Sequence, residues 1–379
     1  MQPLKDVLVL DFTTLLPGPL ATLMLAEAGA EVIKIERPGG EDMRAYPPRF
    51  DGFSAVFALI NRGKKSVALD LTREGDRLVP LIARADVLVE QFRPGVMGRL
   101  GLGYADVRKI NPRLVYCSIT GYGQDGPRAG EAGHDLNYIG NTGLLALQPG
   151  PTGEPVVPPA LIADIGGGTF PAVINILMGL RQRDATGEGC HLDIAMTDAM
   201  FTFAWYALAV GQTTGRFPGP GELQVAGGSP RYQLYPTEDG KFVACAALEQ
   251  KFWLAFVTTI GLEPDLANDL ADPAATKAAV AAIIAGKAAD HWRPLFAAAD
   301  CCTTVMATLE EALADPHFIG RGLFAHAVAG ESGRTMPALP LPLAAGFRAG
   351  PGAKPAPRLG ADNDQVLREL SGGSRYSGE

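Results

Sequence analysis

Apolar residues in the first 130 positions fall into short blocks that alternate between two periods. Residues 7–12 are almost continuously apolar (Val7, Leu8, Val9, Leu10, Phe12), the length and pattern of a buried strand. A turn at Pro17, Gly18 and Pro19 follows, then an apolar helix through Ala28 that Gly29 closes. Residues 31–36 form the next strand, which completes a βαβ unit, the building block of a parallel sheet. The alternation continues with a strand at 66–71, a helix at 73–83 and a strand at 87–92. A short helix containing 107–110 and a strand at 114–120 come next. The pattern predicts an α/β fold whose large domain is a doubly wound, Rossmann-like parallel sheet.

Beyond residue 130 the rhythm changes. Residues 170–183 read as a long helix ended by Gly187 and Gly189, 192–195 as a strand and 198–210 as a helix. Residues 211–228 are rich in glycine and proline. A hairpin is expected around the Glu238, Asp239, Gly240 turn, followed by helices that include the alanine-rich run 273–289. From Gly320 loops and proline dominate, and the tail after Gly372 is expected to be disordered. These signals divide the chain into a large domain at 1–190, completed by 325–379, linker helices at 191–228, and a smaller α+β domain at 229–324.

A length of 379 residues suits two domains better than one core. Forty-one acidic against 33 basic residues leave a net charge of -8, which argues against nucleic acid as a partner. Arg62, Lys64 and Lys65 form a local basic cluster that suits either an anionic ligand or a solvated turn. Five cysteines show no metal-ligand spacing and suit reduced thiols, so neither a metal nor a disulfide framework is expected. No charged-then-apolar leader precedes the first strand, and the longest apolar stretch, 170–180, is short for a bilayer span of ~20 residues. The expectation is a cytoplasmic protein without a membrane segment.

Candidate chemistry centres on two loops. His134 lies between Gly133 and Asp135 after a glycine-rich stretch; a structural histidine and a catalytic one both fit. Asp164 precedes Gly166, Gly167 and Gly168 at the start of a helix, where it reads as an N-cap. Three glycines there weaken the helix, and close approach of a ligand to the backbone accounts for them. Glu249 begins a helix of the second domain and is by itself a routine first-turn acid. Glu36 ends the second strand as a ribose-binding acid would, but the first turn lacks the glycine fingerprint of a dinucleotide site. Arg37 and Arg93 sit at strand ends, where open α/β sheets bind ligands, and suit a phosphorylated group. His191, His291, His317 and His326 read as structural.

These segments together are similar to the class III (CaiB/BaiF-type) CoA-transferase superfamily, and within it the chain most resembles the α-methylacyl-CoA racemases. The carriers are Leu16 to Pro19, Gly29 to Pro38, Leu69 to Leu71, Arg93 to Val96, Thr120 to Gly123, Gly133 to Tyr138 and Ala163 to Gly168. Gly227 to Tyr232 and Ala247 to Glu249 extend the match, which ends near residue 325. The resemblance implies an interlocked homodimer whose active site lies between the large domain of one chain and the small domain of the other. It assigns CoA contacts to Arg37, Leu69, Asp70, Leu71, Thr72 and Arg93, and a thioester lining to Gly133, Asp135, Leu136, Asn137 and Tyr138.

In the racemases His134, Asp164 and Glu249 match an acid/base triad acting on a 2-methyl-branched acyl-CoA, with no cofactor beyond the CoA of the substrate. In the transferases the Asp164 position is a nucleophile that forms an anhydride and then an acyl-enzyme thioester. Transferases usually replace the histidine with an aromatic residue and lack the glutamate, so the complete triad favours a racemase. A CoA-transferase is the alternative, and a catalytically silent CoA-binding protein a further one. Gln224, Val225 and Ala226 depart from the racemase pattern.

Overall fold

The computed structural model describes residues 2–150 and 153–369; the tail after Gly372 lies outside the described residues. The chain divides into two compact units. The described residues within 1–142, 159–202 and 320–379 form the first, and those within 143–158 and 203–319 the second.

The first unit is built on six strands: β1 Leu8–Phe12, β2 Glu31–Glu36, β3 Lys65–Ala68, β4 Val87–Glu90, β5 Val115–Thr120 and β6 Cys190–Ala195. Every neighbouring pair is parallel, in the order β3-β2-β1-β4-β5-β6. The expected doubly wound sheet is therefore present. Helix α1 (Pro17–Glu27) joins β1 to β2, α2 (Asp135–Asn141) follows β5, and α3 (Phe170–Thr186) leads into β6. One face of the sheet buries Leu10, Ile33, Val67, Leu88 and Tyr116 with Leu78, Leu81, Ile82 and Val107. The helix expected at 73–83 is three short pieces, Leu71–Glu74, Gly75–Leu78 and Val79–Ile82. Gly75 and Pro80 interrupt it, as residues that resist a continuous helical ladder do.

The helical run Ala163–Thr186 is long and apolar enough to cross a bilayer by composition, yet half of its most apolar window is buried inside the protein. Gly179 places it directly on β5, since a Cβ there would stand 3.0 Å from Val115. The helix is part of the core.

The second unit pairs β7 (Tyr232–Pro236), β8 (Phe242–Ala246) and β9 (Thr303–Val305) in an antiparallel sheet, with the expected hairpin between β7 and β8. Helices α4 (Gln250–Ile260), α5 (Pro273–Ala285) and α6 (Ala289–Ala299) cover it around Trp253, Phe256, Trp292 and Phe296.

The C-terminal segment returns to the first unit. Where the sequence suggests loops, it forms a small sheet of β10 (His326–Ala329), β11 (Thr335–Pro337) and β12 (Gly352–Pro355) packed on Phe57 and Ala58. Strands of three or four residues ending in Pro337 and Pro355 carry too little period to be read from sequence. Beyond them, the carboxylate of Asp362 and the amide oxygen of Asn363 accept the N–H groups of Ser66 and Ala68, each at 2.8 Å, and so cover the edge of β3.

Candidate active site

Strands β1 and β4 are neighbours from which the chain departs in opposite directions, the switch point at which open α/β sheets place ligands. Two cavities open along the C-terminal ends of the strands. The first, about 430 Å³, is lined by residues following β1 (Thr14, Leu15, Pro17), β4 (Gln91, Phe92, Arg93) and β5 (Gly121, Tyr122), with His134, Tyr138 and Asp164. The second, about 380 Å³, lies toward β2 and β3 and is lined by Arg37, Leu69, Asp70, Leu71 and Thr72. Thr14, Leu15 and Phe92 belong to both walls.

His134 is the N-cap of α2, in extended backbone, with its own N–H held at 3.0 Å by the Asn137 side chain. Tyr138, one turn on, donates its hydroxyl to the Gly133 carbonyl at 2.5 Å and so fixes the residue before the histidine. A side chain at Gly133 would collide with the Tyr138 ring at 2.6 Å, which explains the glycine. The imidazole is exposed to the cleft.

Asp164 is not an N-cap. It lies inside the wide-turn helical segment Ala163–Thr169 that runs straight into α3. Its N–H, one of the donors a helix start leaves unpaired, goes to the buried Asp135 carboxylate at 2.9 Å. Two of the three glycines, Gly167 and Gly168, have a different cause from the one expected. A Cβ on Gly167 would overlap the Met196 carbonyl oxygen, and one on Gly168 would lie 2.9 Å from Pro17. Both are buried and neither lines the cleft, so contact with the protein's own atoms, not with a ligand, requires them.

Burial pushes the Asp164 carboxyl up to about 6, with the Asp135 charge adding to it and His134 opposing it. Burial and the Asp164 charge likewise push the Tyr138 hydroxyl up to about 12, so it stays a donor. The cleft thus sets an imidazole beside a carboxyl group that changes protonation state near neutral pH, an arrangement suited to acid/base chemistry.

Of the other expected site residues, Arg93 and Asn137 line the first cavity, whereas Leu136 is exposed outside it. Asp70 caps the short helix after β3, accepting from the Thr72 backbone and hydroxyl at 3.0 and 2.6 Å. Arg37 is exposed, paired with Asp42 and bonded to the Gly40 carbonyl at 2.7 Å. Glu249 is the exposed N-cap of α4 in the second unit. Thr14, Leu15, Gln91, Tyr122 and Glu131 also line the first cavity and were not expected there. The switch-point rule, applied to the three residues after each strand, would have found all of them but Glu131.

Two alternatives left by the sequence are resolved by burial. The start of α1 offers no phosphate site: Pro17 and Pro19 have no N–H, and the Gly18 N–H is taken by Gln91 at 3.1 Å. The basic cluster is neither an anion site nor a solvated turn. Lys64 is buried and bonded to Asp11, Pro19, Thr22 and Asn61. Arg62 is buried against Glu27, and Lys65 pairs with Glu31. Asp11 is held well below the usual carboxylate range: burial opposes this, but Lys64, Lys34 and two threonine hydroxyls outweigh it.

Residues 4–363 match the family model described as CoA-transferase family III. The acetyl-CoA:oxalate CoA-transferase of Acetobacter aceti is 37% identical, over 76% of this chain and 77% of that protein. The α-methylacyl-CoA racemase of Mus musculus is 35% identical, over 97% of this chain and 93% of that protein. Among solved structures, a CaiB/BaiF family protein from Brucella suis superimposes with a TM-score of 0.81 at 30% identity, over 97% of this chain and 99% of that one.

Proposed function

This chain belongs to CoA-transferase family III, an enzyme family whose members it resembles include both racemases and CoA-transferases, and on that footing we propose that it inverts the α-carbon of 2-methyl-branched acyl-CoA thioesters. The observation that carries this reading is the presence of His134 and a proton-holding Asp164 on the wall of one cleft. Neutral His134 takes the α-proton from one face, and protonated Asp164 donates to the other. The roles exchange in the reverse direction. The proton is acidic enough only while negative charge develops on the thioester oxygen, so donors in the cleft have to meet it. With Gly167 and Gly168 buried, that task falls to groups nearer the cleft.

CoA, in this proposal, extends from the second cavity, where Arg37 and the Leu69 to Thr72 segment receive it, past Arg93 to the reacting carbon. The reaction needs no further cofactor. Glu249 comes from the second copy of a homodimer and orients the imidazole. The exposed apolar side chains of Phe170, Ile174, Leu177 and Met178 on α3 fit a face that such a partner covers.

The test is incubation of one enantiomer of a 2-methylacyl-CoA in deuterated water. Deuterium at the α-carbon with epimerisation is expected, and absence of both rejects the reading. The transferase relative supports a second reading, in which the Asp164 carboxylate attacks the thioester and expels CoA to leave a mixed anhydride. His134→Ala separates the two: racemisation should fall by roughly 100-fold or more, whereas a transferase keeps substantial activity.

A further inference from the structure

The turn after β1 is a wall common to both cavities, and its backbone is held from behind by buried charge. Leu15 adopts a φ of 60°, a left-handed conformation that a side chain with a Cβ rarely takes. Its N–H donates at 2.7 Å to Glu41 Oε2. Glu41 Oε1 lies 2.9 Å from Lys34 Nζ, and that ammonium donates at 2.7 Å to the carbonyl of Thr13. The Thr13 N–H is held in turn by Asp11 at 2.9 Å. Thr14, exposed to the cavities, is therefore bracketed by two backbone anchors. The Lys34 and Glu41 side chains are 0% and 1% exposed.

A buried ion pair is a poor source of stability compared with apolar side chains of the same volume. Its distinctive property is direction: a charge-assisted acceptor fixes one N–H at one place. Glu41 is itself set by its own N–H to Glu36, which Arg44 clamps at 2.7 and 2.6 Å. The chain of contacts runs from the rim of the second cavity to the peptide that borders the first.

We propose that Glu41, backed by Lys34, is a positioning residue that holds the Thr14–Leu15 peptide as the rail along which a CoA thioester passes from one cavity into the other. The inference rests on the CoA-thioester reading above. Releasing the Leu15 N–H lets the turn relax to negative φ and displaces the thioester, while the nucleotide end, held elsewhere, stays bound. Displacements of about 1 Å at a reacting centre cost on the order of 100-fold in rate.

The experiment compares wild type, Glu41→Ala and Glu41→Gln in two measurements, free-CoA affinity by titration and the rate of α-deuterium exchange of a 2-methylacyl-CoA. Glu41→Ala should keep CoA affinity within about threefold and lose roughly 10–100-fold in kcat for exchange. Glu41→Gln, whose amide oxygen can still accept the Leu15 N–H while its NH2 faces the Lys34 ammonium, should recover part of that loss. A merely structural role would lower binding capacity and rate together and would show no rescue by glutamine. Exchange by Glu41→Ala at the wild-type rate, or loss of CoA affinity in parallel with rate, overturns the proposal. If the wild type binds CoA but exchanges no deuterium, the racemase reading alone fails. The same three proteins are then compared on CoA transfer between an acyl-CoA and a carboxylate, with the same split expected.

Discussion

Replacing Asp164 by asparagine should stabilise the protein at neutral pH while removing the proposed acid/base group. The Asp164 carboxyl is raised from 3.8 to about 6, burial being the main cause and Asp135 the second. The folded state therefore binds this proton more tightly than the unfolded chain does. Such a group favours folding fully below pH 3.8, and that advantage is lost as pH rises through about 6. A tenfold change in proton affinity is worth about 1.4 kcal/mol, so a rise of this size sets an upper bound of about 3 kcal/mol. Asp164 is partly exposed, and screening by solvent reduces the expected cost of its charge to about 1–2 kcal/mol. Asparagine is nearly isosteric and leaves the N–H bond to Asp135 in place. Thermal or urea unfolding of wild type and Asp164→Asn at pH 8 and pH 4 measures the effect. The variant should melt about 1–3 °C higher at pH 8, with the gap closing at pH 4. Equal stability at pH 8, or a gap that widens on acidification, would refute the claim that a costly buried charge sits at this position.

Three further outcomes follow from the contacts described. Asp135→Asn removes the second contributor to the raised Asp164 carboxyl while its amide oxygen can still accept the Asp164 N–H, so the limb of the pH–rate profile that requires protonated Asp164 should move to lower pH. Gly167→Ala drives a methyl group into the Met196 carbonyl, and a loss of about 1–3 kcal/mol is expected in denaturant titration despite alanine's better helix propensity. Lys64→Met leaves the buried Asp11 carboxylate without its nearest cation and should destabilise by about 3–5 kcal/mol near pH 7, less in an Asp11→Asn background, as paired denaturation curves would report.

Most of the parallel sheet was legible because β1, β2, β4 and β5 are short, largely apolar runs with glycine or proline nearby, a signal that depends only on local order. His134, expected on a loop, caps the start of a helix, whereas Asp164, expected on a loop or as an N-cap, lies inside a helical segment; their sharing of one cleft depends on the pairing of β5 and β6, which no local pattern encodes. Burial was the least legible property. Lys34 and Lys64 look like ordinary surface cations in sequence, and only tertiary packing reveals the carboxylates and carbonyls that face them. The same limit misassigned the glycines after Asp164, since the Met196 carbonyl that excludes a side chain lies well downstream in the chain. Short strands near the C-terminus were missed because they are completed by pairing, not by composition.

The tight seat of Gly167 and Gly168 fixes one side of the cleft. The segment that carries Asp164 is wedged against Met196 and Pro17 with no room to slide, so this flank behaves as a fixed jaw. His134 caps a helix of only seven residues, but the Asp135 carboxylate at its start is bolted to the Asp164 N–H, so the histidine is carried on the same rigid frame. A ligand that enters this cleft has to fit its spacing, because the protein has fixed both groups before the ligand arrives.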